Sequence, residues 1–313
     1  MTRAFVFPGQ GSQAVGMGRE LAEAFPSARH VFQEVDDALK QKLSTLMFEG
    51  PEDQLILTEN AQPALMAMSM AVVAALKSEG GLDLAKAGKF VAGHSLGEYS
   101  ALAAAGTFTI GDTARLLKIR GQAMQKAVPV GEGAMAALLG ADFEQAAEIA
   151  AEAAQGEVCA AANDNAPGQV VISGHKAAVD RAIAIAAERG IKRAVLLPVS
   201  APFHCALMAP AAEAMAEALS NAAMVAPNPP LVANVTAAKA TDPAQIRAQL
   251  VAQVTATVRW RESVLFMKSQ GVETLVELGA GKVLAGLAKR IDKELSGVSV
   301  GTPADVEAFL KSL

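Results

Sequence analysis

Apolar and polar positions alternate along this chain with two different periods, and the changes of period mark its elements. Short apolar runs bounded by turn residues occur at 2–7, 90–92, 231–234 and 274–278. Each is too short for a helix and too continuous for a half-exposed strand, so each predicts a strand buried on both faces. Between them lie segments of helical period, at 17–39, 96–105, 109–126, 207–222, 246–254, 262–269 and 282–291, with a short tail helix after the last. The first breaks at Pro26-Ser27, where Ser27 is expected to cap the second half. The stretch 61–76 carries no charge and holds Met66, Met68 and Met70, which predicts a buried core helix.

The pattern differs from Gly133 onward. Strand periods at 134–139, 158–162, 169–173 and 193–197 are interleaved with helical periods at 143–154 and 177–188. Their order, β-α-β-β-α-β, is that of a ferredoxin-like unit. The turn-rich run Asn163-Asp164-Asn165-Ala166-Pro167-Gly168 is expected to connect its two middle strands. The fold class expected is therefore α/β, a parallel-sheet domain with an inserted ferredoxin-like α+β subdomain. The large domain is assigned 1–128 and 198–313, and the insert 129–197. Thr274 to Leu278 is the last strand the pattern predicts.

Composition narrows the function. The chain has 313 residues, 52% hydrophobic, ample for a substantial core. Its net charge of −5, with no block of like charge, argues against nucleic acid as a partner. Two cysteines, Cys159 and Cys205, imply no disulfide framework and favour a reducing, cytoplasmic setting. The apolar run near the N-terminus is too short for a signal peptide. The uncharged stretch 194–212 contains Pro198, Pro202 and Pro210, which speaks against a membrane span.

The chemistry centres on Gly93-His94-Ser95-Leu96-Gly97, set between a strand and a helix. This is the G-x-S-x-G nucleophile elbow, in which a sharp turn lifts a serine hydroxyl clear of the backbone. The N–H of Leu96, at the helix start, becomes a candidate oxyanion donor. The loop Pro8-Gly9-Gln10-Gly11-Ser12-Gln13 follows the first strand, where α/β sheets place their ligand crevice. A serine nucleophile needs a base. His30 reads as a surface residue, His175 as a helix-start residue, and His94 as support for its loop. His204 is left, in an uncharged neighbourhood that keeps an imidazole neutral. No carboxylate follows until Glu213, so a backbone carbonyl is expected to orient it. By pattern alone, Arg115, Lys118 and Arg120 read as solvated charges.

Several stretches, in order, resemble the malonyl-coenzyme A:acyl-carrier-protein transacylase family. They are FVFPGQGSQ (5–13), ENAQPAL (59–65), GHSLGEYSAL (93–102), IRGQAMQ (119–125), NDNAPGQVVISG (163–174), the 200–208 stretch, the Trp260 region and ELGAGKVLAGL (277–287). The resemblance spans essentially the whole chain. It implies a hydrolase-like α/β domain carrying the ferredoxin-like insert, with Ser95 as nucleophile, His204 as base, and a main-chain carbonyl near Gln253 orienting the imidazole. It gives Gln10 and Leu96 the oxyanion-hole N–H groups and Arg120 the free carboxylate of the malonyl group. Asn163 and Asn165 would line the cleft between domains, and Phe203 would match the bulky residue that goes with malonyl preference. Implied partners are malonyl-coenzyme A and acyl carrier protein, with no cofactor, metal, nucleic acid or membrane. Lys282, Lys289 and Arg290 are candidates for docking an acidic carrier. A serine hydrolase or thioesterase using the same Ser-His pair is the enzymatic alternative, and a non-catalytic scaffold the other.

Overall fold

The computed structural model describes all 313 residues, and its architecture follows from one six-stranded sheet. In chain order the strands are β1 (Arg3–Phe7), β2 (Phe90–Gly93), β3 (Gly133–Leu139), β4 (Cys159–Ala166), β5 (Gln169–His175), β6 (Arg193–Leu196), β7 (Leu231–Ala233), β8 (Ala238–Ala240), β9 (Thr274–Leu278) and β10 (Ser296–Val300). The large sheet runs β10-β9-β1-β2-β7-β8. All its pairings are parallel except β7 with β8.

Helices cover both faces, and alternate residues of one strand serve opposite cores. Phe5 and Phe7 of β1 pack with the apolar helix Thr58–Gly80, whereas Ala4 and Val6 pack with Trp260, Val264 and Leu287. Two-sided burial explains why these strands read as continuous apolar runs. The helix Thr58–Gly80 is the one helix long and apolar enough to cross a membrane, and it is buried in the core along most of its length. The stretch 194–212 forms no helix of that kind: it holds β6, a loop, a 3-10 turn and the start of a helix.

The second sheet is antiparallel, ordered β4-β5-β3-β6, and the helices Phe143–Ala154 and Lys176–Glu188 pack on it around a separate apolar core. Its edge strand β4 bonds the large body through Asp164 N to Val258 O (3.0 Å) and Val258 N to Ala162 O (2.9 Å). The buried Asp164 carboxylate, paired with Arg261 at 2.9 Å, fastens the same junction.

Three sequence expectations need correction, and one strand escapes the pattern. Asn163, Asp164 and Asn165 are not part of the turn: β4 continues to Ala166, and only Pro167 and Gly168 turn. Irregular register on either side of Asn163 and Asp164 lets polar side chains sit in a strand while finding partners outside the sheet. Thr274–Leu278 is not the last strand; β10, a serine- and glycine-rich edge, pairs with it in parallel. The short β8 was also missed, because three residues carry too little period to detect. Ser27 caps nothing: Phe25 is the N-cap residue, and the Ser27 hydroxyl meets that of Ser78 at 2.8 Å.

Candidate active site

Parallel strands put all their carboxyl ends on one edge. There the loop after β1, the elbow after β2, Asn234 after β7 and Gly279-Ala280-Gly281 after β9 converge. The elbow turns because its glycines allow it. A Cβ on Gly93 would lie 1.9 Å from the Gly97 carbonyl group, and one on Gly97 would lie 2.2 Å from Phe7 O. Helix Gly97–Ala104 can therefore press against β1 and β2, and Ser95 at the apex takes a left-handed φ of 55°. Asn234 pins this turn. Its Oδ1 accepts from Ser95 N at 2.9 Å, and its Nδ2 donates to Gly93 O at 2.7 Å.

His204 arrives from the other direction, after Pro202-Phe203, also with a left-handed φ of 57°. Its Nε2 lies 2.7 Å from Ser95 Oγ, and its Nδ1 lies 2.9 Å from the main-chain oxygen of Gln253. A carbonyl only accepts, so Nδ1 carries the proton and Nε2 presents its lone pair to the serine hydroxyl. Burial, and then the charge of Arg120, push the imidazole pKa down to about 3. The neighbourhood that is uncharged in sequence is thus not uncharged in space. Gln253 lies at the C-terminal end of helix Pro243–Gln253 and is fully buried.

Arg120 overturns its solvated reading by pattern. It is 1% exposed, on the inner face of helix Ile110–Ala127. Its guanidinium donates to Gln62 Oε1 (2.7 Å), Gln253 Oε1 (2.8 Å) and Ser95 Oγ (3.2 Å), and its Cζ lies 5.6 Å from the Tyr99 ring centroid. No carboxylate forms an ion pair with it. Lys118 and Arg115, by contrast, pair near the surface with Glu59 and Asp112. A buried guanidinium with polar neutral neighbours and spare N–H groups is built to receive an anion from outside.

These groups line a cavity of ≈ 90 Å³, small enough for a short acyl group. Gln10, Leu96, Asn163, Met135, Val199 and Phe203 are among the other residues that line it. The N–H groups of Gln10 and Leu96 bond no protein acceptor, and the Gln10 side chain is held by Thr58 Oγ1 at 2.9 Å. Asn163 is buried with its Nδ2 unpaired. His94 Nε2 meets Asn165 Oδ1 at 2.8 Å, tying the elbow to β4. His30 is exposed, and His175 accepts a bond from Val158 N, so neither joins the site. Lys282, Lys289 and Arg290 are exposed on or beside helix Val283–Ile291. That helix's Val283, Leu284 and Leu287 border a 200 Å³ cleft shared with Gln10, His94 and Asn163.

Sequence reading missed Gln62, Asn234 and Glu98. Glu98 lies inside the elbow motif, and it is a buried carboxylate in the site's hydrogen-bond network. Its signal was available: an acid in a stretch of otherwise small and apolar residues needs a partner.

Residues 4–302 match the acyl transferase domain family. The malonyl CoA-acyl carrier protein transacylase of Escherichia coli K12 is 47% identical, the match covering 98% of each chain. The crystal structure of the acyl-carrier-protein-S-malonyltransferase of Bartonella henselae is 57% identical, with TM-score 0.97, covering 100% of this chain and 99% of that one. A malonyl-transacylase solved in complex with a type II PKS acyl-carrier protein is 43% identical, with TM-score 0.96 and 100% coverage of both.

Proposed function

The chain belongs to the acyl transferase domain family, and from that premise we propose that it moves a malonyl group from coenzyme A to the phosphopantetheine thiol of an acyl carrier protein, in fatty acid biosynthesis. One observation carries the reading: a Ser-His pair at 2.7 Å shares a small cavity with a buried arginine that has no carboxylate of its own.

In this mechanism Ser95 Oγ attacks the thioester carbonyl while His204 Nε2 takes its proton. The N–H groups of Gln10 and Leu96 hold the oxyanion of the tetrahedral intermediate. Collapse breaks the C–S bond, and His204 returns the proton to the departing coenzyme A thiolate. The carrier's thiol then gives its proton to His204, attacks malonyl-Ser95, and leaves with the acyl group as Ser95 recovers the proton. Arg120 holds the free carboxylate throughout, which selects malonyl over uncharged acyl groups. Asn163 lines the approach to the nucleophile.

We read the chain as a large catalytic domain of residues 1–128 and 198–313 with a subdomain, 129–197, inserted in it. Confinement of β3 to β6 within 133–196 supports that division. Two free cysteines favour a cytoplasmic setting. The decisive experiment mixes enzyme with malonyl-coenzyme A, with and without carrier protein. One equivalent of coenzyme A released without carrier, and turnover on adding it, is the expected result. Continuous release without carrier would instead mean a hydrolase, and no acyl-enzyme would mean a scaffold.

A further inference from the structure

Gln253 has two ends, and both face the chemistry. Its main-chain oxygen takes the His204 proton donor, while its side-chain Oε1 accepts from Arg120. Guanidinium groups only donate, so this arrangement requires the amide oxygen, and not the NH2, to face Arg120. A free amide has no such preference, since rotating it exchanges oxygen and nitrogen at almost equal shape.

The other side of the amide supplies the preference. Gln253 Nε2 donates to Glu98 Oε2 at 2.7 Å, to Ser95 O at 3.0 Å and to Asn234 Oδ1 at 3.2 Å. The shortest of the three runs to a carboxyl group that is 1% exposed. The same Glu98 oxygen accepts from Asn234 N at 3.2 Å, and Asn234 in turn holds Ser95 N and Gly93 O. Glu98 therefore lies behind both the arginine and the nucleophile's turn while touching neither the cavity nor the serine hydroxyl.

We propose that Glu98 is a positioning residue for malonyl selection, holding the Gln253 amide with its oxygen toward Arg120 so that the guanidinium stays aimed at the substrate carboxylate. The inference rests on the transfer reading above. It assigns the effect to the place of an acceptor oxygen, not to its charge. Both bonds end on Oε2 while Oε1 has no protein partner, so a proton carried on Oε1 leaves the accepting oxygen in place.

Two conservative variants separate the possibilities. Glu98→Gln keeps the length and an acceptor oxygen but removes the charge. Glu98→Asp keeps the charge but withdraws the acceptor by one methylene. Rates of Ser95 acylation from malonyl- and acetyl-coenzyme A are measured for both, alongside wild type and thermal melting. Glu98→Asp should lower the malonyl-to-acetyl ratio of kcat/KM about tenfold, mainly through a higher malonyl KM, while Glu98→Gln keeps the ratio within about threefold. The proposal is overturned if Glu98→Asp leaves the ratio unchanged, including an equal loss for both substrates, or if Glu98→Gln lowers it as much as Glu98→Asp. Absence of malonyl-Ser95 in the wild type would instead refute the transfer reading itself.

Discussion

Ser95 and His204 stand 109 positions apart, yet their side chains meet at 2.7 Å from two backbones that both hold left-handed φ, 55° and 57°. Left-handed backbone costs a non-glycine residue roughly 1–2 kcal/mol. Asn234 and Gln253 hold the serine turn in that conformation. Strain at both partners is stored where the acyl group must be exchanged.

Ser95 variants should therefore report chemistry and strain separately. Ser95→Ala and Ser95→Gly should both show no malonyl adduct by intact mass after incubation with malonyl-coenzyme A. Ser95→Gly should nonetheless be the more stable of the two, by up to about 1 kcal/mol, because glycine relieves the positive φ. Urea melts of the pair measure the difference, and an adduct on either variant would refute Ser95 as nucleophile.

Arg120→Ala should depress malonyl transfer by about 3 kcal/mol, more than a hundredfold, because the substrate carboxylate is then desolvated without a partner. Acetyl transfer, which offers no carboxylate, should fall much less. Steady-state kcat/KM for the two thioesters checks this, and equal losses would reduce Arg120 to a structural part.

The depressed pKa of His204 fixes the sign of two pH effects. With the imidazole neutral down to about pH 3, the acid limb of kcat/KM for malonyl loading should fall well below the ordinary histidine value of 6.5. In the unfolded chain the same group protonates near 6.5. Its contribution to stability is therefore lost progressively as pH falls from about 6.5 toward 3. Rapid-quench loading across pH 4.5–8 tests the first effect, and a His204→Gln comparison of melting temperatures tests the second.

Glu98 has the opposite sign. Its folded pKa, near 7, is raised above the ordinary glutamate value of 4.5. The folded state thus binds the extra proton between those values, and wild-type stability is lost as pH rises through that window. Glu98→Gln should gain stability relative to wild type from pH 4.5 to 7.5, with no further gain above. A difference independent of pH would show that Glu98 does not titrate on folding.

Carrier docking should depend on Lys282 and Lys289, since a chain of net charge −5 needs a local basic patch to attract an acidic partner. Both are exposed, Lys282 at the N-cap and Lys289 in the last turn of helix Val283–Ile291, whereas Arg290 is engaged with Gln169 Oε1 at 2.7 Å. Charge reversal at the two lysines should raise the KM for carrier protein and flatten its salt dependence, while loading from coenzyme A stays nearly unchanged. A parallel fall in both half-reactions would move the patch to the thioester donor or to the fold.

The sequence by itself determined the parallel strands, the β-α-β-β-α-β unit and the elbow at Ser95. Each is local: an apolar run buried on both faces, a change of period, or two glycines flanking a serine. His204 was reached by elimination among four histidines, and Arg120 only through resemblance, because an arginine between Ile119 and Gly121 looks like any solvated charge on a helix. Whether such a charge faces water or the core depends on which helix packs over it, and Thr58–Gly80, some sixty residues earlier, does so here. The same holds for the inward turn of Asn163, the edge strand β10 and the roles of Asn234 and Glu98. Asn163 is placed by the β4 contact with Val258 and β10 by its pairing with β9, while Asn234 and Glu98 bond across more than a hundred positions, such as Glu98 to Gln253 at a separation of 155. Buried polar groups must find partners, but composition and period do not say which ones. Only the folded chain brings them together.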